Sequence, residues 1–257
     1  MMSETPGWEP DIAEELTEGP EAPERPRMGA LARIVQVFVS PVEVFRDIAR
    51  KPTWVAILLL TMVVSAGTQF VVMPHLDMET TIRQSLEKRG SEVTEEQLDT
   101  MLANADRMAW LGPVSSLVIV PVAMVVLAAI YLLGLKLAGS DIDFLHSFSA
   151  TLHAYWPASV AKAAILVALV SRVGKVPAQE MERLIRSNLA AFLGPDSPAW
   201  QVKLATSFDV FNLWTFALLV VGLAIVGRIP RARAAVVTGL LWGTWIAGKV
   251  AFAALLG

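Results

Sequence analysis

VSSLVIVPVAMVVLAAIYLLGLKL, residues Val114–Leu137, is the stretch that decides the fold. Its one charge, Lys136, sits at the very end. It is long enough to cross a hydrocarbon core about 30 Å thick as a single helix. Four further stretches read the same way: Thr53–Met73, Ser147–Val170, Val210–Ile229 and Ala232–Leu256. Five such segments predict an all-α, polytopic integral membrane protein with five transmembrane helices. Composition agrees, since the 257 residues are 54% hydrophobic with a mean hydropathy of +0.54. Only 18% are charged, below the quarter or so usual in soluble domains. The net charge of -3 argues against a nucleic-acid partner. With no cysteine there is no disulfide, thiol nucleophile or thiolate metal site.

The charge is concentrated outside the spans. Residues 1–28 carry eight acidic residues, two arginines and repeated prolines, and no signal-peptide pattern. Such a tail cannot bury enough apolar surface to offset its ordering entropy, so it is expected to be disordered. Residues 29–52 differ. Leu31, Ile34, Val35 and Phe38 recur at helical spacing, and Val42, Phe45 and Ile48 resume it after Ser40-Pro41. Ser40 with Glu43 has the spacing of a capping box. Two short amphipathic helices at the membrane surface follow. Arg33, Arg46, Arg50 and Lys51 would face lipid phosphates, and Phe38 and Phe45 would insert. The same stripe would also serve to pack against the spans.

Two polar loops separate the spans. His75–Trp110 reads as a helical hairpin turning at Gly90, with a capping box at Thr94 and Gln97. In Arg172–Ser207, Gln179–Phe192 reads as an amphipathic helix. Basic residues crowd the approach to the first span and the turn Arg228, Arg231 and Arg233. Five crossings put both clusters on one side, so the positive-inside rule predicts a cytoplasmic N-terminus and an extracytoplasmic C-terminus.

Ionisable groups at membrane depth are costly and mark candidate sites. Lys162, Asp209, Asn212 and Lys249 form the candidate intramembrane polar cluster, either as an interhelical clamp or as a polar transport path. His146 and His153 are two helical turns apart, about 10 Å, too far to share one metal ion. No catalytic motif, metal site or cofactor site is expected. Gly222, Gly227, Gly239, Gly243 and Gly248 would permit close helix contacts, within the chain or between copies.

Three segments resemble the Yip family, the Ypt/Rab-interacting membrane proteins, and in particular its bacterial branch. The first is Ser40-Pro-Val-Glu-Val-Phe-Arg-Asp-Ile48 with Lys51-Pro-Thr-Trp54, similar to the lead-in to that family's first span. The second is Phe144-Leu-His-Ser-Phe-Ser149 with Tyr155 and Pro157. The third and most specific is Phe208-Asp-Val-Phe-Asn-Leu-Trp214 running on to Gly222-Leu223. The resemblance implies five spans, a cytoplasmic N-terminus and a short exoplasmic C-terminus. Eukaryotic members are linked to Rab-type GTPases, but their Asp-Leu-Tyr-Gly-Pro motif is missing here, so GTPase binding does not carry over. Ala/Val/Arg-rich usage points to a bacterial cytoplasmic membrane. The expected role is a non-enzymatic organiser or adaptor. Its expected partners are the lipid bilayer and either another membrane protein or further copies of itself. The competing role is an oligomeric transporter or channel.

Overall fold

The computed structural model describes residues 28–256 except 88, 89, 92, 93, 195 and 196. Nearly all of the acidic tail, whose disorder the composition predicts, lies outside the described residues. The chain is helical throughout, with β-bridges only at Leu76–Val176 and Asn188–Asp209 among the described residues. In chain order the helices are α1 (Ala30–Gln36), α2 (Pro41–Arg50), α3 (Val55–Val72), α4 (Met78–Glu87), α5 (Glu95–Met108) and α6 (Leu111–Leu137). Then come α7 (Phe144–Val173), α8 (Ala178–Leu184), α9 (Ala199–Ser207), α10 (Val210–Val226) and α11 (Arg231–Leu256).

Helices α3, α6, α7 and α11 are long and apolar enough to cross a membrane. Helix α10, at 17 residues, is the fifth apolar helix. It spans about 25 Å at 1.5 Å per residue, short of a full hydrocarbon core. Helix α7 packs against α3, α6 and α10, while α11 packs against α10 and α6. At one end of this bundle the turns between α6 and α7 and between α10 and α11 meet. Ser140 Oγ donates to the Gly227 carbonyl at 2.7 Å, and Arg233 donates to the Ala138 carbonyl at 3.1 Å. At the other end the two polar loops join. The Asp77 amide donates to the Val176 carbonyl at 3.0 Å, the Val176 amide to His75 at 2.8 Å, and the Ala178 amide to Thr81 Oγ1. The chain therefore alternates between ends, and α10 runs the whole way despite its length. The outer face of α6, including Val118, Ile119, Val122 and Leu133, is exposed and apolar, as a lipid-facing helix requires.

The capping box at Thr94 forms as its sequence predicts, and Gly90 turns the first loop with φ +64°. The second loop departs from expectation. Its predicted single helix, Gln179–Phe192, is instead α8 followed by a 3-10 turn at Leu189–Phe192. The interruption arises because Ser187 and Asn188 are drawn to the start of α10. The Ser187 carbonyl accepts from the Val210 amide at 3.2 Å, and Asn188 Oδ1 caps the 3-10 turn through the Ala190 amide.

Helices α1 and α2 form a re-entrant hairpin rather than lying flat on the surface. Val44, Phe45 and Ile48 are fully buried, and α2 packs against α10 and α7. The hairpin reaches deep into the bundle. Trp156 Nε1 donates to the Ile34 carbonyl at 3.2 Å, from a position about 18 Å along α7 at 1.5 Å per residue. Phe38 sets its edge on Trp214 at 6.1 Å, near the far end of α10. Backbone groups at the tip are satisfied internally, with Phe38 N donating to Val35 O and Ser40 N to Gln36 O. Ser40 makes no side-chain cap, so the predicted capping box does not form. The close approach of α2 to α10 depends on Gly222: a Cβ there would lie 2.7 Å from Phe45 Cε1. Gly239, Gly243 and Gly248 have nothing within 4 Å of such an atom, so they take no part in internal packing.

Candidate functional site

One cavity of about 380 Å³ lies at the hairpin end of the bundle, beside Ala49, Asp143 and Gly227, and three more lie toward the other end. The helical path is broken at Phe208-Asp209, between α9 and α10. Both helices pack on α11, and Trp242 of α11 meets Phe208 and Phe216 on either side of the break, at 5.7 and 5.5 Å between ring centres. Asp209 is the N-cap of α10. Its Oδ1 accepts from the Phe211 amide at 2.7 Å and the Asn212 amide at 3.4 Å, and its Oδ2 accepts from Ser187 Oγ at 2.8 Å. A carboxylate at a helix N-terminus satisfies otherwise unpaired amides and complements the helix dipole.

Lys162 comes to this cap from α7. Its Nζ lies 3.4 Å from Asp209 Oδ1, donates to Asn212 Oδ1 at 3.2 Å and sits 5.6 Å from the centre of the Phe211 ring. Asn212 Nδ2 donates in turn to the Ser207 carbonyl at 3.2 Å, and Ser207 Oγ accepts from Lys249 Nζ of α11 at 2.9 Å. The structure thus brings Lys162, Asp209 and Asn212 into direct contact and joins Lys249 through Ser207. Sequence reading missed Ser207 and Ser187. Short hydroxyl side chains beside a helix break were the available signal.

Three cavities meet at Lys162. One, of about 310 Å³ between α6, α7, α10 and α11, also holds Lys249, Asn212, Tyr131 and Tyr155. Buried Thr238 lines it too, and its hydroxyl has no hydrogen-bond partner among the described residues. A second, of about 580 Å³, runs between α3, α6, α7 and α8 and is mostly apolar, with Val64, Val120, Met124 and Leu166. The third, of about 330 Å³, is lined by Lys162, Lys203, Asp209 and Lys249.

The candidate lipid-contacting set divides. Arg46, Arg50 and Lys51 are exposed, and Phe38 is partly so at 38%. Arg33 and Phe45, expected to face phosphates and lipid, do neither. Phe45 is buried against Gly222. Arg33, 2% exposed, donates from Nε to Asp47 Oδ2 at 2.6 Å, from Nη1 to the Lys51 carbonyl at 2.9 Å, and also to Thr53 Oγ1. Asp47 was the unread signal. It is one turn from Val44 on the buried face of α2, where a carboxylate needs a cation. Asp143 caps α7 by accepting from the His146 amide and pairs with the His146 ring at 2.7 Å, while buried His153 donates from Nδ1 to the Ser149 carbonyl. Among the described residues, no group of three or more His, Asp or Glu is placed to hold a metal ion.

A family model, the Yip1 domain, matches residues 35–252. The chain belongs to the Yip family. The match takes in all five apolar helices and most of the α1–α2 hairpin. A multi-pass integral membrane protein is what both the family and the helices require. No curated protein and no solved structure matches the chain.

Proposed function

We propose that this Yip-family chain is a non-enzymatic membrane organiser or adaptor. It acts through lateral helix contacts made by the α1–α2 hairpin, with its N-terminus in the cytoplasm of a bacterial cell and its C-terminus outside. The observation that carries this reading is the outer face of α1 and of the turn that follows it. Leu31, Val35 and Val39 are 75%, 67% and 79% exposed, although the opposite face of the same hairpin is fully buried. A docked, internally bonded hairpin that keeps an apolar face outward suits a partner helix in the bilayer. Exposed Arg46, Arg50 and Lys51 would add attraction to anionic lipid, each worth about 1 kcal/mol near the surface. The α11 glycines left out of internal packing offer a second face, suited to another copy of the chain.

The test is crosslinking in native membranes with capture through an N-terminal tag. Replacing Leu31, Val35 and Val39 together by Ser should abolish recovery of one specific membrane partner while leaving the amount of folded protein unchanged. Unchanged recovery would sink the reading.

A second reading is favoured by two observations, the cavities that share Lys162 and the Thr238 hydroxyl, which has no partner among the described residues. It is an oligomeric transporter or channel with its path through Lys162, Asp209, Asn212 and Lys249. Proteoliposome flux abolished by Lys162→Gln would support it, and absence of flux across ion and solute panels would remove it.

A further inference from the structure

We propose that α9 completes the crossing that α10 leaves short, and that its outer face lies against lipid, from the acyl chains at Phe208 to the headgroups at Trp200. Helix α10 covers about 25 Å of a hydrocarbon core about 30 Å thick. Helix α9, with nine residues, adds about 13 Å directly before it. Both pack on α11, which is long enough to cross alone.

Three observations converge. First, α9 is amphipathic in the sense that a membrane requires. Trp200, Leu204 and Phe208 recur four apart and are exposed. Lys203 and Thr206, on another side of the helix, line a cavity inside the bundle. In water the apolar stripe would turn inward and the polar side outward. Second, this apolar surface continues across the break. Every exposed residue from Ala199 to Gly227 is apolar, Val210 and Leu213 at the start of α10 among them. The outer face of α9 is therefore continuous with that of a membrane-spanning helix.

Third, the break is built for a place without water. The Phe208 amide donates to the Ala205 carbonyl and the Val210 amide to the Ser187 carbonyl, both at 3.2 Å. The Phe211 and Asn212 amides are taken by the Asp209 carboxylate. The Thr206 and Ser207 hydroxyls both donate to the Lys203 carbonyl. Non-helical backbone is tolerated at membrane depth where the protein itself supplies its bonds. With Val226 at one hydrocarbon edge, Val210 lies about 5 Å inside the other. Trp200 then reaches the headgroups, the depth that tryptophan favours. Asp209 and its Lys162 partner sit below that edge.

The adaptor reading can fail without this proposal, because the α1 face plays no part in it.

Electron paramagnetic resonance of the full chain in phosphatidylcholine–phosphatidylglycerol vesicles tests it. The chain has no cysteine, so single nitroxide labels go to Trp200→Cys, Leu204→Cys and Val210→Cys. Collision with oxygen, which concentrates in hydrocarbon, is compared with collision with a water-soluble nickel chelate. Val118→Cys on the lipid face of α6 and Ser91→Cys in the first polar loop set the two limits. The preference for oxygen should match Val118 at Val210, and fall through Leu204 to Trp200 while staying above Ser91. If the Trp200→Cys chain does not fold, Ala199→Cys, also exposed, should give the same intermediate value. A Leu204 label as open to nickel as Ser91 would overturn the proposal by placing α9 in water. Equal depth at Trp200, Leu204 and Val210 would overturn it too, because α9 would then lie flat.

Discussion

Arg33 and Asp47 form a buried ion pair, which is costly to break at one partner and cheap to replace as a whole. The pair ties α1 to α2, and the Lys51 carbonyl and Thr53 hydroxyl extend the tie to the start of α3. The two side chains are 3% and 8% exposed. Arg33→Met leaves the Asp47 carboxylate buried without its cation, and should cost about 3–5 kcal/mol. Asp47→Leu leaves the guanidinium with two neutral oxygen acceptors, so its cost should fall at the lower end, about 3 kcal/mol. The double substitution Arg33→Met with Asp47→Leu removes both charges and keeps the volume, and should fall within about 1 kcal/mol of the native chain. The coupling energy is therefore about 5 kcal/mol or more. It is measured by titrating detergent-solubilised protein with dodecyl sulfate and following fluorescence, for which the chain has eight tryptophans. Single substitutions costing under 1 kcal/mol, or a double substitution equal to their sum, would refute a buried pair.

Glycine substitutions should sort by position. Gly222→Ala drives a methyl into the Phe45 ring and should lower the melting temperature, with overpacking costing about 1–3 kcal/mol. Gly243→Ala meets nothing within 4 Å and should leave it unchanged or higher. Asp209→Asn keeps an acceptor for the α10 amides but withdraws the charge facing Lys162, so thermal stability should fall by about 1–3 kcal/mol; unchanged stability would exclude the clamp. In the first polar loop, the Thr80 amide and then its hydroxyl hold the Asp77 carboxyl below its ordinary range. A depressed folded value means that the stabilisation is present above the unfolded value of about 3.9 and is lost as pH falls through the folded one. The protection factor of the Thr80 amide against exchange should hold through pH 5 and fall only under stronger acid, and Asp77→Asn should remove that dependence.

What the sequence made legible follows from which forces act locally. The long apolar runs were readable because burial in lipid is set by composition over about 20 residues, and the observed helix ends fall close to those runs. The Thr94 capping box was readable because its partner is three residues away. Lys162, Asp209 and Asn212 stood out because charge and amide groups are rare in such segments. Burial of Arg33 and Phe45 was not readable. It depends on Gly222 and Trp156, which are far along the chain, and amphipathic periodicity does not say whether the apolar face meets lipid or protein. The interruption in the second loop was hidden for the same reason, since Asp209 draws Ser187 and Asn188 out of the helix.

Helix α10 sets the number of crossings, and with it the side on which each turn and loop lies. The chain has no cysteine of its own, so single-cysteine labelling with a membrane-impermeant maleimide reads each site directly. Five crossings predict that Asp141→Cys and Arg231→Cys label from the same side. Ser91→Cys and Leu255→Cys should then label from the other. Labelling of Arg231→Cys together with Ser91→Cys would show that α10 does not cross and would contradict a five-span bundle.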